Sequence, residues 1–333
     1  MDESIYGYGM PPNGSVHGVA VDQLINILHY FMAALFIGWG IFFIYCIVRG
    51  AKAEKATYEP LKGTFSKYLE IAVALFEAML LLGLAMPVWA KLKNEFPKES
   101  EAVNVRVIAQ QFSWTYHYPG ADGKWGRTDV TLMDGVNSLG IDYNDPNAAD
   151  DIVTGTMIIP RNKPVIARIF AKDVIHSFGV PVLRLKQDAI PGMEFPIHFE
   201  ATREGIFEVV CSQLCGVGHF GMGSKVDVRS PGGYASWLVT NQAEAAEFGS
   251  EDVEYAEDQA SAHKALSKAQ LALRSAKTFM KDLETFTKEP DQIKEGRTAL
   301  ARAEKAVNAA AQAYASKYSA QQSETAPEAT EEH

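Results

Sequence analysis

Two long apolar runs near the start of the chain predict helices that cross a membrane. Residues 24–48 are apolar apart from one Asn and one His, and residues 68–89 are apolar apart from two glutamates. At a rise of 1.5 Å per residue these runs measure roughly 37 and 33 Å, more than the ~30 Å hydrocarbon core of a bilayer. Buried helices of a soluble protein are the alternative, but two such runs joined by a short polar loop favour a transmembrane hairpin.

The basic residues around this hairpin predict its orientation. The loop between the runs contains Arg49, Lys52, Lys55, Lys62 and Lys67, whereas the segment before the first run contains no basic residue. The positive-inside rule therefore predicts a cytoplasmic loop, with both termini on the outer side. Because positive charge is also missing ahead of the first run, that run is predicted to be a retained anchor or to follow a presequence already removed.

The next part of the chain has the sequence pattern of an all-β domain. Six short β-rich runs alternate with turn signals, at residues 103–108, 155–159, 165–170, 195–199, 206–210 and 225–228. Period-two patterns and the Pro and Gly residues between the runs predict a sandwich or barrel, which the hairpin orientation places outside the membrane. Residues 120–151 are rich in Gly, Asp and Asn and predict a long surface loop.

The C-terminal part changes character again, because Ala, Lys, Glu and Gln dominate and leucines are sparse. From about residue 235 this pattern predicts two helices broken near Pro290, and residues 321–333 are predicted to be disordered. A solvated helical hairpin is the favoured interpretation of the extension, and a docking arm is the alternative. The predicted domains are 1–100 with the transmembrane hairpin, 101–235 with the β domain, and 236–333 with the extension and tail.

The net charge and the cysteine content exclude several classes of protein. The formal net charge of −10 argues against a nucleic-acid partner, which calls for a basic surface. Three cysteines in 333 residues are too few for a disulfide scaffold. The chain contains no Cys-x-x-Cys-His motif, so it carries no covalent c-type haem of its own.

The candidate chemistry lies in the segment CSQLCGVGHFGM, from Cys211 to Met222. Within it, Cys211, Cys215, His219 and Met222 are the soft and borderline ligands that copper prefers. A predicted strand precedes the segment, and its three glycines predict a tight loop that can gather side chains around one point. A second imidazole must come from elsewhere, and His176, in DVIHSF at the end of a predicted strand, is the best candidate.

From the residues alone, three other interpretations of this cluster remain open. Cys211 and Cys215 are able to form a disulfide in an oxidising exterior. The cluster is also compatible with zinc, although zinc sites do not normally recruit Met. The third interpretation is ordinary packing, and the complete spacing favours copper over all three.

The segment resembles the binuclear copper (CuA) signature of subunit II of cytochrome c oxidases. The segments QFSWTYHY, from Gln111, and QDAIPG, from Gln187, support the resemblance, which covers about residues 20–230. Nitrous oxide reductases have a similar loop but lack the two membrane helices. The resemblance implies a two-helix transmembrane hairpin followed by an all-β cupredoxin-like sandwich, with the C-terminal α-helical hairpin extension outside it.

Carried over residue by residue, the resemblance implies a ligand set for two copper ions. The set consists of bridging thiolates from Cys211 and Cys215, one imidazole each from His176 and His219, and weak ligands from Met222 and the backbone carbonyl of Gln213. Gln213 stands where most members of the family have Glu, whose carboxylate also reaches a shared magnesium or manganese ion. An amide is a weaker ligand for such a hard ion, which argues against a second metal site.

The implied function is that of the electron-accepting subunit of a respiratory haem–copper oxidase in a bacterial inner membrane. Electrons from a c-type cytochrome, either free or held in a larger respiratory supercomplex, would pass through the coppers to haem in subunit I. Dioxygen is reduced and protons are pumped there, and subunit III is a further expected partner. A membrane-anchored copper protein for storage or delivery is the alternative. A quinol oxidase subunit II is a weaker alternative, because such subunits lack the copper ligands that this sequence retains.

The surface that meets the donor departs from the family pattern. Phe112 stands where the family usually has the tryptophan that receives electrons, and Trp114, two residues on, is matched in the family. Both are assigned to the electron path. His117 replaces a usual acidic docking residue, and Met193 replaces a common Arg. These differences predict a more apolar donor surface and a donor that is not a strongly basic soluble cytochrome.

Two glutamates in the second apolar run are the remaining candidates. Glu70 and Glu77 are seven residues apart and therefore share one helix face. Charged groups in lipid are costly and mark proton paths or contacts with a partner protein. Glu70 resembles the family's acidic residue at the mouth of a proton channel into subunit I, and an interfacial carboxylate is the alternative. Glu77 matches no family role.

Overall fold

The computed structural model describes residues 9–52, 63–135 and 137–324. The chain divides into two compact units. The first contains the described residues up to Pro97 together with Val182–Arg184, and the second contains Lys98–Pro181 and the described residues from Leu185 onward.

The first unit contains the two predicted membrane spans. Helix α1 is Gly18–Ala51, and the second span consists of α2 (Phe65–Leu80), a π-helical turn (Leu81–Ala85) and α3 (Met86–Asn94). The most apolar stretch of each span is almost entirely exposed, with 0% and 6% of it buried. The core helix of a soluble protein would be covered by its own chain, so these exposed apolar helices fit a lipid environment.

The second unit begins with a sandwich of two five-stranded sheets. The strands are β1 (Val103–Gln110), β2 (Ser113–Tyr118), β3 (Ile152–Thr154), β4 (Thr156–Pro160), β5 (Pro164–Ala171), β6 (His176–Val180), β7 (Leu185–Ala189), β8 (Phe195–Glu200), β9 (Gly205–Cys211) and β10 (Gly223–Arg229). One sheet has the order β3-β2-β1-β5-β8 and the other β4-β10-β9-β6-β7. The pairs β1–β5 and β4–β10 are parallel, and the other pairs are antiparallel.

All six predicted strands are present, and four further strands were not predicted. Strand β6 is buried at every position, so it shows no alternation from which a strand could be recognised. Strand β7 lies at a sheet edge and contains Lys186 and Asp188, which lower its apparent β propensity. His176 is the first residue of β6 rather than the last residue of the preceding strand, as the sequence had suggested.

The predicted surface loop at residues 120–151 is packed against the first sheet. Leu139, Ile141 and Ala148 form a buried cluster with Ile108 of β1. Burial of these apolar side chains holds the loop on the outer face of the sheet, because together they remove apolar surface from water. The loop is therefore a covering layer of the β domain.

The C-terminal extension is helical as predicted, with three helices instead of two. They are α4 (Pro231–Tyr255), α5 (Gln259–Phe286) and α6 (Pro290–Glu324). The predicted break near Pro290 separates α5 from α6, and a second break at residues 256–258 divides the first predicted helix into α4 and α5. Helix α4 begins at Pro231, where the Ser230 side chain accepts a hydrogen bond from the Gly233 amide. The segment predicted to be disordered, 321–333, begins in the last turn of α6, and residues 325–333 lie outside the described residues.

The helical bundle packs on the β domain through Asp150. The Gln242 side chain of α4 donates a 2.6 Å hydrogen bond to the Asp150 carbonyl, and Ser275 Oγ of α5 donates one of 2.5 Å to its carboxylate. The Ala121 amide donates to the same carboxylate oxygen at 2.8 Å. Burial raises the pKa of Asp150 above its ordinary value, against the opposing effect of the Ser275 hydrogen bond. The extension is thus joined to the β domain rather than being a freely solvated hairpin.

Candidate metal centre

The six predicted ligands lie around the loop that joins β9 to β10. Strand β9 ends at Cys211 and β10 begins at Gly223, and the Cys211 amide donates a 3.2 Å hydrogen bond to the Met222 carbonyl, which closes the loop. Gly216 has a φ of 138°, in the left-handed region that favours glycine. A Cβ at Gly216 would lie 2.8 Å from Gln111 Nε2, so a side chain here would also collide with its neighbour.

The donor atoms of the ligands converge in a chain of short distances. Cys211 Sγ lies 3.8 Å from Cys215 Sγ and 4.0 Å from His176 Nδ1. Cys215 Sγ in turn lies 3.6 Å from His219 Nδ1 and 3.7 Å from Met222 Sδ. The ligand atoms of His176, Cys211 and Cys215 all lie within 4.8 Å of one another. Each sulfur therefore has one imidazole nitrogen beside it.

The backbone carbonyl of Gln213 also points into this cluster. Its oxygen lies 3.2 Å from Cys211 Sγ, whereas the Gln213 side chain belongs to the exposed part of the loop. Both cysteines are free thiols, and their 3.8 Å separation is far longer than the ~2.05 Å bond of a disulfide. The structure thus contradicts the disulfide interpretation and brings all six predicted donors together.

Asp173 orients the His176 ring, and it was not predicted from the sequence. Asp173 Oδ1 lies 2.8 Å from His176 Nε2, which leaves Nδ1 facing Cys211. A carboxylate on the far nitrogen is the usual device that fixes the tautomer of a metal-binding imidazole. Partial burial would raise the pKa of Asp173, but hydrogen bonds from the Gln111 amide, the His176 ring and the Val174 amide lower it below the ordinary value. The position of Asp173 three residues before His176 is the feature of the sequence from which this role could have been predicted.

Gln111 joins this carboxylate to the ligand loop. Its amide donates a 2.6 Å hydrogen bond to Asp173 Oδ2, and its side-chain Nε2 donates one of 2.6 Å to the Cys215 carbonyl. Gln111 therefore ties together the two segments that supply His176 and Cys215. It lies in a motif that carried the family resemblance, but no role had been assigned to it.

Burial shapes the protonation of the thiols. Met222 is 2% exposed and Cys215 5%, so the interior side of the cluster excludes water. Burial, reinforced by the neighbouring Cys211 thiol, raises the pKa of Cys215 to about 11. A bound cation would stabilise the thiolate, so metal binding is expected to release protons.

The two aromatic residues assigned to the electron path occupy different environments. Trp114 is buried and packs edge-on against His176 and Phe178, with ring centroids 6.2 and 5.5 Å apart. Phe112 is partly exposed and lies against the ligand loop, because a Cβ at Gly218 would be only 2.5 Å from its ring. One aromatic ring therefore lies between the loop and solvent, and the other lies behind a predicted ligand.

His117 is not on the donor surface, which corrects the expectation from the sequence. It is 1% exposed, and its Nε2 lies 2.7 Å from Asp151 Oδ2 beneath the 120–151 loop. Met193, by contrast, is exposed, as expected of a surface residue.

In the first unit, the two glutamates of the second span, Glu70 and Glu77, are both exposed on α2. The loop whose basic residues predicted the orientation of the hairpin lies partly outside the described residues.

Comparison with known proteins decides the family. Residues 103–228 match the family model "Cytochrome C oxidase subunit II, periplasmic domain". The chain is 33% identical over 223 residues to the alternative cytochrome c oxidase subunit 2 of Bradyrhizobium diazoefficiens, covering 66% of this chain and 79% of that protein. It belongs to the cytochrome c oxidase subunit II family. The cytochrome c oxidase subunit 2 of Cereibacter sphaeroides is 30% identical over 245 residues, covering 70% of this chain and 79% of that protein.

Among solved structures, the periplasmic domain of subunit II of the cytochrome oxidase of Bradyrhizobium japonicum is 29% identical, with a TM-score of 0.33 over 44% of this chain and 97% of that one. As a member of the subunit II family, the chain is a subunit of a haem–copper oxidase, with a membrane anchor and a periplasmic cupredoxin-like domain. The family match ends at residue 228, immediately before α4, so the helical bundle lies beyond it.

Proposed function

We propose that this subunit II accepts electrons from a c-type cytochrome at a binuclear copper centre and passes them to haem in subunit I. In the complete oxidase, dioxygen would be reduced to water in subunit I and protons would be pumped. The observation that carries the proposal is the convergence of His176, Cys211, Cys215, His219 and Met222, with the Gln213 carbonyl, around one loop. This donor set has the soft character that copper favours.

The spacing of the two thiols supports two metal positions. Typical metal–thiolate bonds measure about 2.3 Å. The 3.8 Å separation of the two sulfurs would allow both thiolates to serve as ligands to the same pair of ions. His176 lies beside one sulfur and His219 beside the other, which supplies one imidazole for each position. When bound, the copper pair would supply a one-electron couple shared across both thiolates.

The protein's own contribution is to hold these ligands still. His176 is fixed by Asp173, and the Cys215 backbone is held by Gln111. The flanking strands keep Cys211 in register with Phe178 of β6. A ligand set that moves little between oxidation states favours fast electron transfer, and a rigid β scaffold with supporting hydrogen bonds provides it.

The donor is proposed to dock by apolar contact beside this loop. Leu214, Val217 and Phe220 are highly exposed on the loop, and Phe112 and Met193 add further exposed apolar surface in this domain. Exposed apolar clusters of this kind favour protein contact. Phe112 and Trp114 are the proposed electron path, and the donor is proposed to be a cytochrome other than the strongly basic soluble type, such as one held in a respiratory supercomplex. A steep loss of binding with rising ionic strength would contradict this.

The remaining assignments concern the partner subunits and the membrane. Subunits I and III are the proposed partners, and Glu70 is the proposed entrance of a proton path into subunit I. The exposed amide of Gln213 favours an oxidase without a shared magnesium or manganese ion. The hairpin is proposed to span a bacterial inner membrane twice, with both termini and the copper domain on the periplasmic side.

Copper loading of the full chain tests the proposal. We expect purified protein in detergent to bind two copper ions per chain and to give an electron paramagnetic resonance spectrum with hyperfine splitting from two equivalent nuclei. His219→Ala should abolish that pattern, whereas His198→Ala, which changes a histidine on β8 outside the ligand set, should leave it intact. One exchangeable copper per chain would instead support the alternative of copper storage or delivery.

A further inference from the structure

Helix α4 carries an exposed aromatic stripe among acidic side chains. Phe248 and Tyr255 are 68% and 80% exposed and lie seven residues apart, so both side chains are on one helix face. Glu244 and Glu251 occupy the same face, four residues before each aromatic. We call these four residues the acidic ridge. Two large aromatic side chains this exposed on one helix face offer apolar surface for contact with a partner.

The charge of the acidic ridge has no internal compensation. The sequence contains no Lys or Arg between Arg229 and Lys264. Within the described part of the chain, neither Glu244 nor Glu251 forms an ion pair. The partner of the ridge should therefore offer positive charge around an apolar surface able to receive the two rings.

Helix α6 presents a surface of that kind. A shallow, open depression lies along its outer face, lined by Ile293 and Ala301 together with the cationic side chains of Lys294, Arg297, Arg302 and Lys305. We call this the basic groove. Arg297 is paired with Glu284 and Arg302 with Glu247 of α4, whereas Lys294 and Lys305 form no ion pair within the described residues. The groove thus retains two unpaired cationic side chains beside apolar ones.

We propose that the acidic ridge of one chain docks into the basic groove of a second copy of the chain. The ridge from Glu244 to Tyr255 and the groove from Lys294 to Lys305 each contain twelve residues, roughly 16 Å of helix from first to last. The two surfaces therefore match in length, are opposite in charge and both include apolar side chains. A pair related by a two-fold axis makes the contact twice and closes as a dimer.

The particle mass of the full chain in detergent tests this contact. We expect wild-type protein to form dimers at low salt and to dissociate as ionic strength rises, because the exposed charges become screened. Combining Glu244→Lys with Glu251→Lys should weaken dimerisation by roughly tenfold or more, since like charges then face each other. Lys294→Glu combined with Lys305→Glu should have the same effect from the other side.

Mixing these two variants distinguishes the proposed contact from a general effect of charge. In the mixture, the ridge that carries Glu244→Lys and Glu251→Lys meets the groove that carries Lys294→Glu and Lys305→Glu, so opposite charges face each other again. The mixture should therefore recover dimers, although each variant alone remains monomeric. Glu208→Lys combined with Asp282→Lys makes the same change in net charge outside both surfaces and should leave dimerisation unchanged. Wild-type protein that is monomeric at low salt, variants that still dimerise, or a mixture that stays monomeric would each overturn the proposal and leave a different protein as the partner of the ridge.

Discussion

His176 Nε2 lies 2.8 Å from Asp173 Oδ1, and this contact determines which ring nitrogen faces the two cysteines. The sulfur of Cys211 is 4.0 Å from Nδ1, on the opposite side of the ring. Since the outer nitrogen is hydrogen-bonded to a carboxylate, the ring is both oriented and made a stronger ligand.

We therefore expect Asp173→Ala to weaken copper binding roughly 10- to 100-fold, the usual effect of removing a partner behind a metal-binding histidine. A competitive copper titration of the full chain measures this change, and the hyperfine pattern should broaden because the ring is less well held. Asp173→Asn is the matched control, since its amide oxygen can still accept from Nε2. Equal affinity in all three proteins would show that Asp173 has no positioning role.

Substitutions at Gln213 test the role of its side chain separately from the role of its backbone carbonyl. Its carbonyl oxygen lies 3.2 Å from Cys211 Sγ, whereas its side chain is exposed. Gln213→Ala should therefore keep full copper content and an unchanged spectrum. Gln213→Glu should add a carboxylate that is a good ligand for a hard ion, so that the assembled oxidase gains manganese detectable by its own resonance signal. Loss of copper in Gln213→Ala would mean that the side chain is needed after all.

Phe112 and Trp114 should respond differently to truncation because one is partly exposed and the other buried. Phe112→Ala should slow reduction of the loaded protein by cytochrome while the copper content and melting temperature stay near wild type. Trp114→Ala should instead destabilise the β domain by about 3–5 kcal/mol, as expected when a large buried aromatic is removed. Stopped-flow reduction and thermal unfolding separate the two effects. An unchanged reduction rate in Phe112→Ala would exclude Phe112 from the electron path.

The ligand loop was predictable because its chemistry is local in the sequence. Five of the six donors fall within the segment from Cys211 to Met222, and the glycines among them indicate a tight loop. His176 was also identified, but Asp173 and Gln111 were not assigned, because their roles depend on hydrogen bonds between strands that are distant in sequence. Long-range contacts of this kind leave no periodic signal in the chain.

The outer layers of the β domain were harder to predict for the same reason. His117 was expected at the surface because it replaces a surface acid of the family, but the 120–151 loop covers it and Asp151 pairs with it. The loop itself has a polar composition, and the buried residues Leu139, Ile141 and Ala148 that pack it against the sheet are irregularly spaced along it. The third helix of the extension was missed because only residues 256–258 separate α4 from α5, and this short break contains neither Gly nor Pro.

The contributions of Asp150 and Asp258 to the stability of the folded protein depend on pH in opposite directions. Burial raises the pKa of Asp150, so its favourable contribution to stability is complete below the unfolded pKa of about 3.9 and is lost as pH rises through the folded value. The pKa of Asp258 is lowered because its carboxylate accepts hydrogen bonds from the Ser261 amide and hydroxyl at the start of α5. Its contribution is present above the unfolded pKa and is lost as pH falls through the folded value.

Thermal unfolding of Asp150→Asn between about pH 4 and 7 should reveal this difference. The melting temperature of the variant relative to wild type should increase with pH across this range, because the amide keeps the hydrogen-bonding oxygen and avoids a buried negative charge. Asp258→Asn is the matched control, and its offset should stay constant above about pH 5, where the wild-type carboxyl group is ionised in both the folded and the unfolded protein. If the Asp150→Asn offset is also constant, the carboxylate that joins the bundle to the β domain is already ionised in the folded protein at pH 4, and burial does not govern its charge.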